Sequence, residues 1–180
     1  MPRRMRRIAN IIDPSRRSSG SIFFWNWSTR SGVMMKLPSD LHAFIESLNA
    51  AHVKYLIVGG YAVAFHGHPR FTGDIDVFIE ASMDNAVKVV QALRHFGFGG
   101  LELDPSALAT KDVVVQLGLP PNRIDIMTSI DGVAFNEAWQ TRVSARISGT
   151  ATAFIGKELL VANKRSAGRP KDIADADELS

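Results

Sequence analysis

The run Thr72-Gly73-Asp74-Ile75-Asp76-Val77 sets two carboxylates one residue apart at the head of a β-branched stretch that continues to Ile79. Side chains alternate along an extended chain, so Asp74 and Asp76 share one face while Ile75 and Val77 enter a core. A strand with one apolar and one acidic face restricts the fold to a sheet packed on one side and at least partly open on the other. The two Cα atoms of such a pair stand about 6.5–7 Å apart, a spacing from which both carboxylates converge on divalent ions. Without a cation the pair repels itself and costs stability. The plainer reading is a solvated strand end, which is common for an isolated Asp-x-Asp.

A third acid strengthens the first reading. In Arg123-Ile124-Asp125-Ile126-Met127 the aspartate points outward from another apolar strand, flanked by inward Ile124 and Ile126. If the two strands are neighbours, Asp74, Asp76 and Asp125 share one edge of a sheet and form a site for two Mg²⁺ ions. All-oxygen ligands in a chain without cysteine favour Mg²⁺ or Mn²⁺ over zinc. Such ions usually hold phosphates, and Val58-Gly59-Gly60-Tyr61 reads as strand, two glycines and helix start. There no side chain blocks the backbone amides from an anion. A lone Gly-Gly is more often a turn than a phosphate cradle; here Asp74 opens the next strand.

The remaining elements follow from local patterns. Pro38-Ser39-Asp40 starts a helix over 40–51 with Ser39 as N-cap, and Leu41, Phe44, Ile45 and Leu48 recur at helical spacing. Tyr55 to Val58 is a buried strand and Tyr61 to Phe65 a short helix closed by Gly67 and Pro69. Ser82 caps a long helix from Met83 to Phe96, stopped by Gly97, Gly99 and Gly100. Val113–Val115 and Arg123–Met127 form a hairpin, a second hairpin spans Arg142 to Ile155, and helices lie near Val133–Trp139, Lys157–Arg165 and Pro170–Leu179. Strands and helices mix without regular βαβ alternation. The expected class is therefore α+β, a compact mixed sheet with helices mainly on one face and C-terminal helices.

At 180 residues the chain has room for one domain and an appendage. Its longest uncharged apolar run, Tyr55 to Phe65, falls well short of the ~20 residues that cross a bilayer. The absence of cysteine excludes a disulfide framework and a thiol nucleophile, and the expectation is a soluble, cytoplasmic protein. The net charge of +3 is uneven. Residues 1–35 hold seven arginines against Asp13, which is +6, and leave 36–180 at −3. That leader also carries six serines and the cluster Phe23, Phe24, Trp25, Trp27 without periodicity. It is read as a disordered or mis-annotated extension, translation beginning at Met34 or Met35, with 36–180 as the domain. A transit peptide and a nucleic-acid-binding arm are the alternatives. An intact mass of the natively expressed protein that includes residues 1–33 rules out the late start.

Gly59-Gly60-Tyr61-Ala62-Val63-Ala64-Phe65-His66-Gly67 followed by Gly73-Asp74-Ile75-Asp76, with Asp125 on a later strand, resembles the DNA polymerase β-like nucleotidyltransferase superfamily. It is nearest to small bacterial members of the AbiEii-type, toxin–antitoxin group. The resemblance covers roughly Tyr55 to Asp125. It implies that Gly59 and Gly60 bind the triphosphate, that Asp74 and Asp76 bind metal, and that Asp125 binds metal and helps activate the attacking hydroxyl. Many members have Ser where this chain has Gly60, which leaves only backbone contacts there. Lys164 and the pair Lys171-Asp172 resemble a downstream Lys and Lys-Asp of the AbiEii-like group. Lys164 is a candidate phosphate ligand or else an exposed helix lysine. Arg70, in the loop feeding the Asp strand, is a candidate for bidentate contacts to phosphate oxygens. Arg123 either does likewise or covers a sheet edge.

The implied activity is transfer of NMP from an NTP such as ATP to a hydroxyl of RNA, protein or a small molecule, with Mg²⁺ or Mn²⁺. The implied partners are tRNA or protein as acceptor and a cognate antitoxin or toxin, with no membrane. The alternatives are a catalytically inactive nucleotide- or RNA-binding member of such a pair, and a phosphohydrolase built on His66, His68, Asp74 and Asp76. His66 and His68 are otherwise solvent-facing or hydrogen-bonding groups.

Overall fold

The computed structural model describes residues 6–11, 38–100, 102–119 and 123–180. The elements are β1 (Arg6–Ile11), α1 (Ser39–Ala50), β2 (Tyr55–Val58), α2 (Gly59–Phe65), β3 (Asp74–Ile79), α3 (Met83–Phe96) and α4 (Pro105–Leu108). They continue with β4 (Val113–Leu117), β5 (Arg123–Met127), α5 (Phe135–Gln140), β6 (Val143–Ile147), β7 (Thr150–Phe154), α6 (Lys157–Ala167) and α7 (Pro170–Leu179). The strands form one sheet in the order β1-β4-β5-β3-β2-β7-β6. Parallel pairs (β1 with β4, β3 with β5, β2 with β7) alternate with antiparallel ones (β4 with β5, β2 with β3, β6 with β7). This is the expected α+β class with a mixed sheet and C-terminal helices, and both expected hairpins are present.

The inward side chains of the central strands, Ile57, Ile75, Val77, Ile79, Val115, Ile124 and Ile126, are buried. Helices α1 and α3 add Phe44, Ile45, Leu48, Val89 and Leu93 to the same core, and the rings of Phe44 and Phe96 stand 5.3 Å apart between them. Ser82 caps α3 by accepting from the Asn85 amide, and Gly97 ends it in the left-handed conformation at φ 119°, a position glycine occupies at little cost.

Some expectations need correction. Pro38, extended at ψ 149°, takes the N-cap position of α1, and Ser39 is its first helical residue with no capping bond. The Ser39 hydroxyl instead donates to the neighbouring Asp40 carboxylate at 3.4 Å. Helix α2 begins at Gly59, directly after β2 and without the turn expected before Tyr61. Helix α4, capped by Asp104, was not expected, since four residues show no period. Nor was β1, whose backbone pairs with β4 from Arg6–Val113 to Ile11–Leu117. The rest of the 1–35 segment, the subject of the extension reading, lies outside the described residues.

Candidate active site

Sheet register brings the three aspartates together. Asp76 on β3 pairs with Asp125 on the parallel β5, and Asp74 pairs with Arg123. On its other side Asp76 pairs with Val58, the last residue of β2 before Gly59. The carboxylate pair on β3, the aspartate on β5 and the Gly-Gly junction therefore meet along one row of the sheet.

At that junction the chain has no alternative to glycine. Gly59 has φ +61°, and a Cβ there would lie 1.8 Å from Asp76 Oδ2, so the backbone rests directly on the carboxylate. A Cβ on Gly60 would come within 2.8 Å of the Thr72 hydroxyl. Position 60 thus offers only backbone, as its glycine implies, but Thr72 fills the adjoining space with a hydroxyl. These residues line a cleft of about 200 Å³ together with Asp74, Asp125, Arg123 and cationic side chains from α6 and α7.

Arg123 bridges two of the acids. Its Nη2 donates to Asp74 Oδ2 at 2.5 Å and to Asp125 Oδ2 at 3.0 Å, while Nε donates to Asp125 Oδ1 at 2.8 Å. Gln116, facing Asp125 on β4, donates to both of its oxygens at 3.1–3.2 Å. Asp125 is 7% exposed and fully engaged. Asp76 is not: among the described residues no donor reaches its carboxylate. Burial, then the charges of Asp125 and Asp74, push its pKa up to about 6 against the opposing pull of Lys164. Burial also raises Asp74, with Asp125 adding to the effect and Arg123 offsetting part of it.

The cations expected at the triphosphate have carboxylate partners. Arg70 makes a two-pronged contact with Asp175 on α7, at 2.7 and 2.8 Å. Lys164, 4% exposed rather than an exposed helix lysine, donates to Asp172 at 2.7 Å and lies 3.0 Å from Asp175. Arg169 also donates to Asp172. Burial opposes ionisation of Asp172 and Asp175, yet these hydrogen bonds hold both carboxyls below their ordinary range. Lys171 lines the cleft, is exposed, and acts on Asp74 and Asp76 by charge alone. His66 bonds the Ile155 carbonyl at 2.8 Å and His68 faces Glu178 at 3.5 Å, and neither lines the cleft.

The donor set suits a hard divalent ion in part. Asp74 and Asp76 share one face, and among the described residues no donor reaches the Asp76 carboxylate, which fits the one or two protein carboxylates that Mg²⁺ takes beside phosphate oxygens. Among the described residues no group of three or more acids or histidines is arranged around a metal position, since the Arg123 guanidinium occupies the space between Asp74 and Asp125. Sequence reasoning missed Thr72, Arg169 and Asp131 as lining residues. Thr72 was recoverable from its place two residues before Asp74; Asp131 carried no signal.

Residues 34–179 match the model of a family described as "Nucleotidyltransferase of unknown function (DUF6036)". No curated protein matches the chain.

Proposed function

The chain belongs to this nucleotidyltransferase family, and we propose that it moves a nucleoside monophosphate from an NTP to a hydroxyl acceptor, releasing pyrophosphate. The observation that carries the proposal is the row Gly59, Asp76, Asp125: a backbone turn seated on a carboxylate that no donor reaches among the described residues, with a second carboxylate in register beside it. Asp74 and Asp76 would hold Mg²⁺ or Mn²⁺, which when bound supplies positive charge at the phosphate oxygens of the attacked and leaving groups. The Gly59 and Gly60 amides and the Thr72 hydroxyl border the space for the triphosphate, and Lys171 is the exposed cation beside it. Arg70 and Lys164 add positive potential from positions fixed by α7.

Arg123 has a double role in this reading. With no nucleotide it stands where a cation belongs, countering Asp74 and Asp125. A phosphate offers the guanidinium a bidentate partner of equal quality. Its transfer to that partner frees Asp125 to act as a third ligand or to take the proton of the acceptor hydroxyl.

The same bridge favours a second reading, a nucleotide-binding member of a toxin–antitoxin pair that does not turn over, if Arg123 never leaves the carboxylates. Incubation with α-labelled NTPs and Mg²⁺ or Mn²⁺, offering tRNA, protein and small hydroxylated compounds, separates the two. Label on an acceptor, reduced at least about 100-fold by Asp76→Asn in a folded protein, is the expected result. Transfer retained in Asp76→Asn refutes the assignment, and nucleotide binding without transfer supports the second reading.

A further inference from the structure

A second and larger cavity, about 830 Å³, adjoins the carboxylate cleft, and Ile130 and Asp131 line both. Phe78 lies in its wall. Phe78 follows Asp76 by two residues on the same face of β3, so this cavity begins one side-chain repeat, about 6.5–7 Å, beyond the metal-ligand candidates. A molecule held there has its nearest atoms within reach of a phosphate in the cleft.

The boundary between the two cavities is held in place. Asn163 on α6 donates to the Asp131 carbonyl at 2.8 Å, and Ile130 bridges Val133 across the turn. Gly132, at φ +73°, sits so close to α6 that a Cβ would lie 2.1 Å from the Ser166 hydroxyl. The backbone of Asp131 is thus fixed from both sides, while among the described residues its carboxylate has no partner.

The lining narrows the ligand. Asp131, Asn136, Ser129 and Ser166 mix hydrogen-bond acceptors with donors, and Glu80 in the same wall is already paired with Lys54 at 2.8 Å. With Glu80 countered by Lys54, Lys111 is the single cation in the lining and Asp131 offsets it, so the wall carries no net positive charge. That balance disfavours a polyanion such as RNA. The volume falls in the range of small-molecule sites.

Resting on the nucleotidyltransferase reading, we propose that this cavity is the acceptor site and that the acceptor is a small polyhydroxylated molecule of the sugar or cyclitol class. Asp131 receives one of its hydroxyls, and an adjacent hydroxyl crosses the Ile130–Asp131 boundary to the α-phosphate. In the reaction the acceptor oxygen forms a bond to the α-phosphorus, the bond from that phosphorus to the bridging oxygen breaks, and pyrophosphate leaves with its electron pair. The hydroxyl proton passes to Asp125 in the cleft.

The test uses the full chain and a panel of free hexoses, aminohexoses and cyclitols. Saturation-transfer NMR with Mg²⁺ and a non-hydrolysable NTP reads binding, and α-labelled NTP reads transfer. The expected result is saturation of at least one panel member and label in the sugar fraction, both reduced at least tenfold by Asn136→Trp, which fills the cavity from an exposed helix position. Asp131→Asn should weaken the same binding, which keeps the test independent of any misfolding of the tryptophan variant. Sugar bound without transfer keeps the pocket and sinks the transferase reading. No panel member bound, or label confined to RNA or protein and insensitive to both substitutions, overturns the inference.

Discussion

Ionising Asp76 works against the fold, because burial and the facing Asp125 raise its carboxyl to about 6. A carboxyl raised in the folded state favours folding while protonated. Its contribution is complete below the unfolded value near 4, declines as pH rises toward 6, and is gone above it. Asp76→Asn removes the charge at every pH. In the presence of a chelator, the variant should be more stable than the parent by roughly 1–3 kcal/mol at pH 8 and indistinguishable from it near pH 4, as read from urea midpoints. An unchanged midpoint at pH 8 would mean that another group neutralises Asp76. The same substitution that abolishes transfer is thus expected to stabilise the protein, the usual relation between a strained site and its scaffold. At this scale the alternation of Asp74, Ile75, Asp76 and Val77 was readable directly, since it depends only on strand period. The engagement of Asp125 was not. Its contact with Arg123 is local, two residues back on the same face of β5, but its contact with Gln116 depends on the register of the neighbouring β4, which no local pattern encodes.

Helices α6 and α7 are joined by charge as much as by apolar contact. Lys164, Asp172 and Asp175 are all nearly inaccessible to solvent, with Arg70 and Arg169 closing the cluster from outside. Removing one member of a buried pair leaves the others uncompensated, at about 3–5 kcal/mol. Lys164→Met should therefore lower stability by about 3 kcal/mol at pH 7 in urea unfolding. Because Asp172 and Asp175 are depressed, their contribution is present above the unfolded value near 4 and lost as pH falls through their folded values. The gap between parent and variant should close in acid, and a gap constant with pH would show that Lys164 acts by packing. The elements themselves were legible wherever a short apolar run met a clear stop, as in β2, β3, α3 and the two hairpins. The use of Lys164 was hidden because its partners lie on the following helix, although Asp172 and Asp175 share a helical face at spacing three. Strand β1 was hidden for a different reason: an edge strand is held by backbone pairing, and an Arg-rich run shows none of the apolar alternation that marks a strand.

The charge of the whole chain divides along the same line as its architecture. Every residue assigned to the cleft or the second cavity lies within the body of residues 36–180, which carries −3, whereas residues 1–35 carry +6. An arginine-rich segment of that charge binds polyanions without sequence preference, releasing counterions, with an affinity that falls steeply with salt. The cleft, whose cations are mostly countered by α7, has no comparable pull. Removing residues 1–33 should abolish salt-sensitive binding to RNA and leave Mg²⁺-dependent NTP binding within about twofold, since β1 is an edge strand laddered to β4 and separated from β3 by β4 and β5. The newly exposed edge of β4 should also make the shortened chain more prone to associate at high concentration. Filter binding of RNA and of labelled NTP to both forms, across a salt series, reads the two effects separately. RNA binding that survives the truncation with its salt slope intact would locate the polyanion site in the body of the protein, and would count against a sugar as the acceptor in favour of RNA.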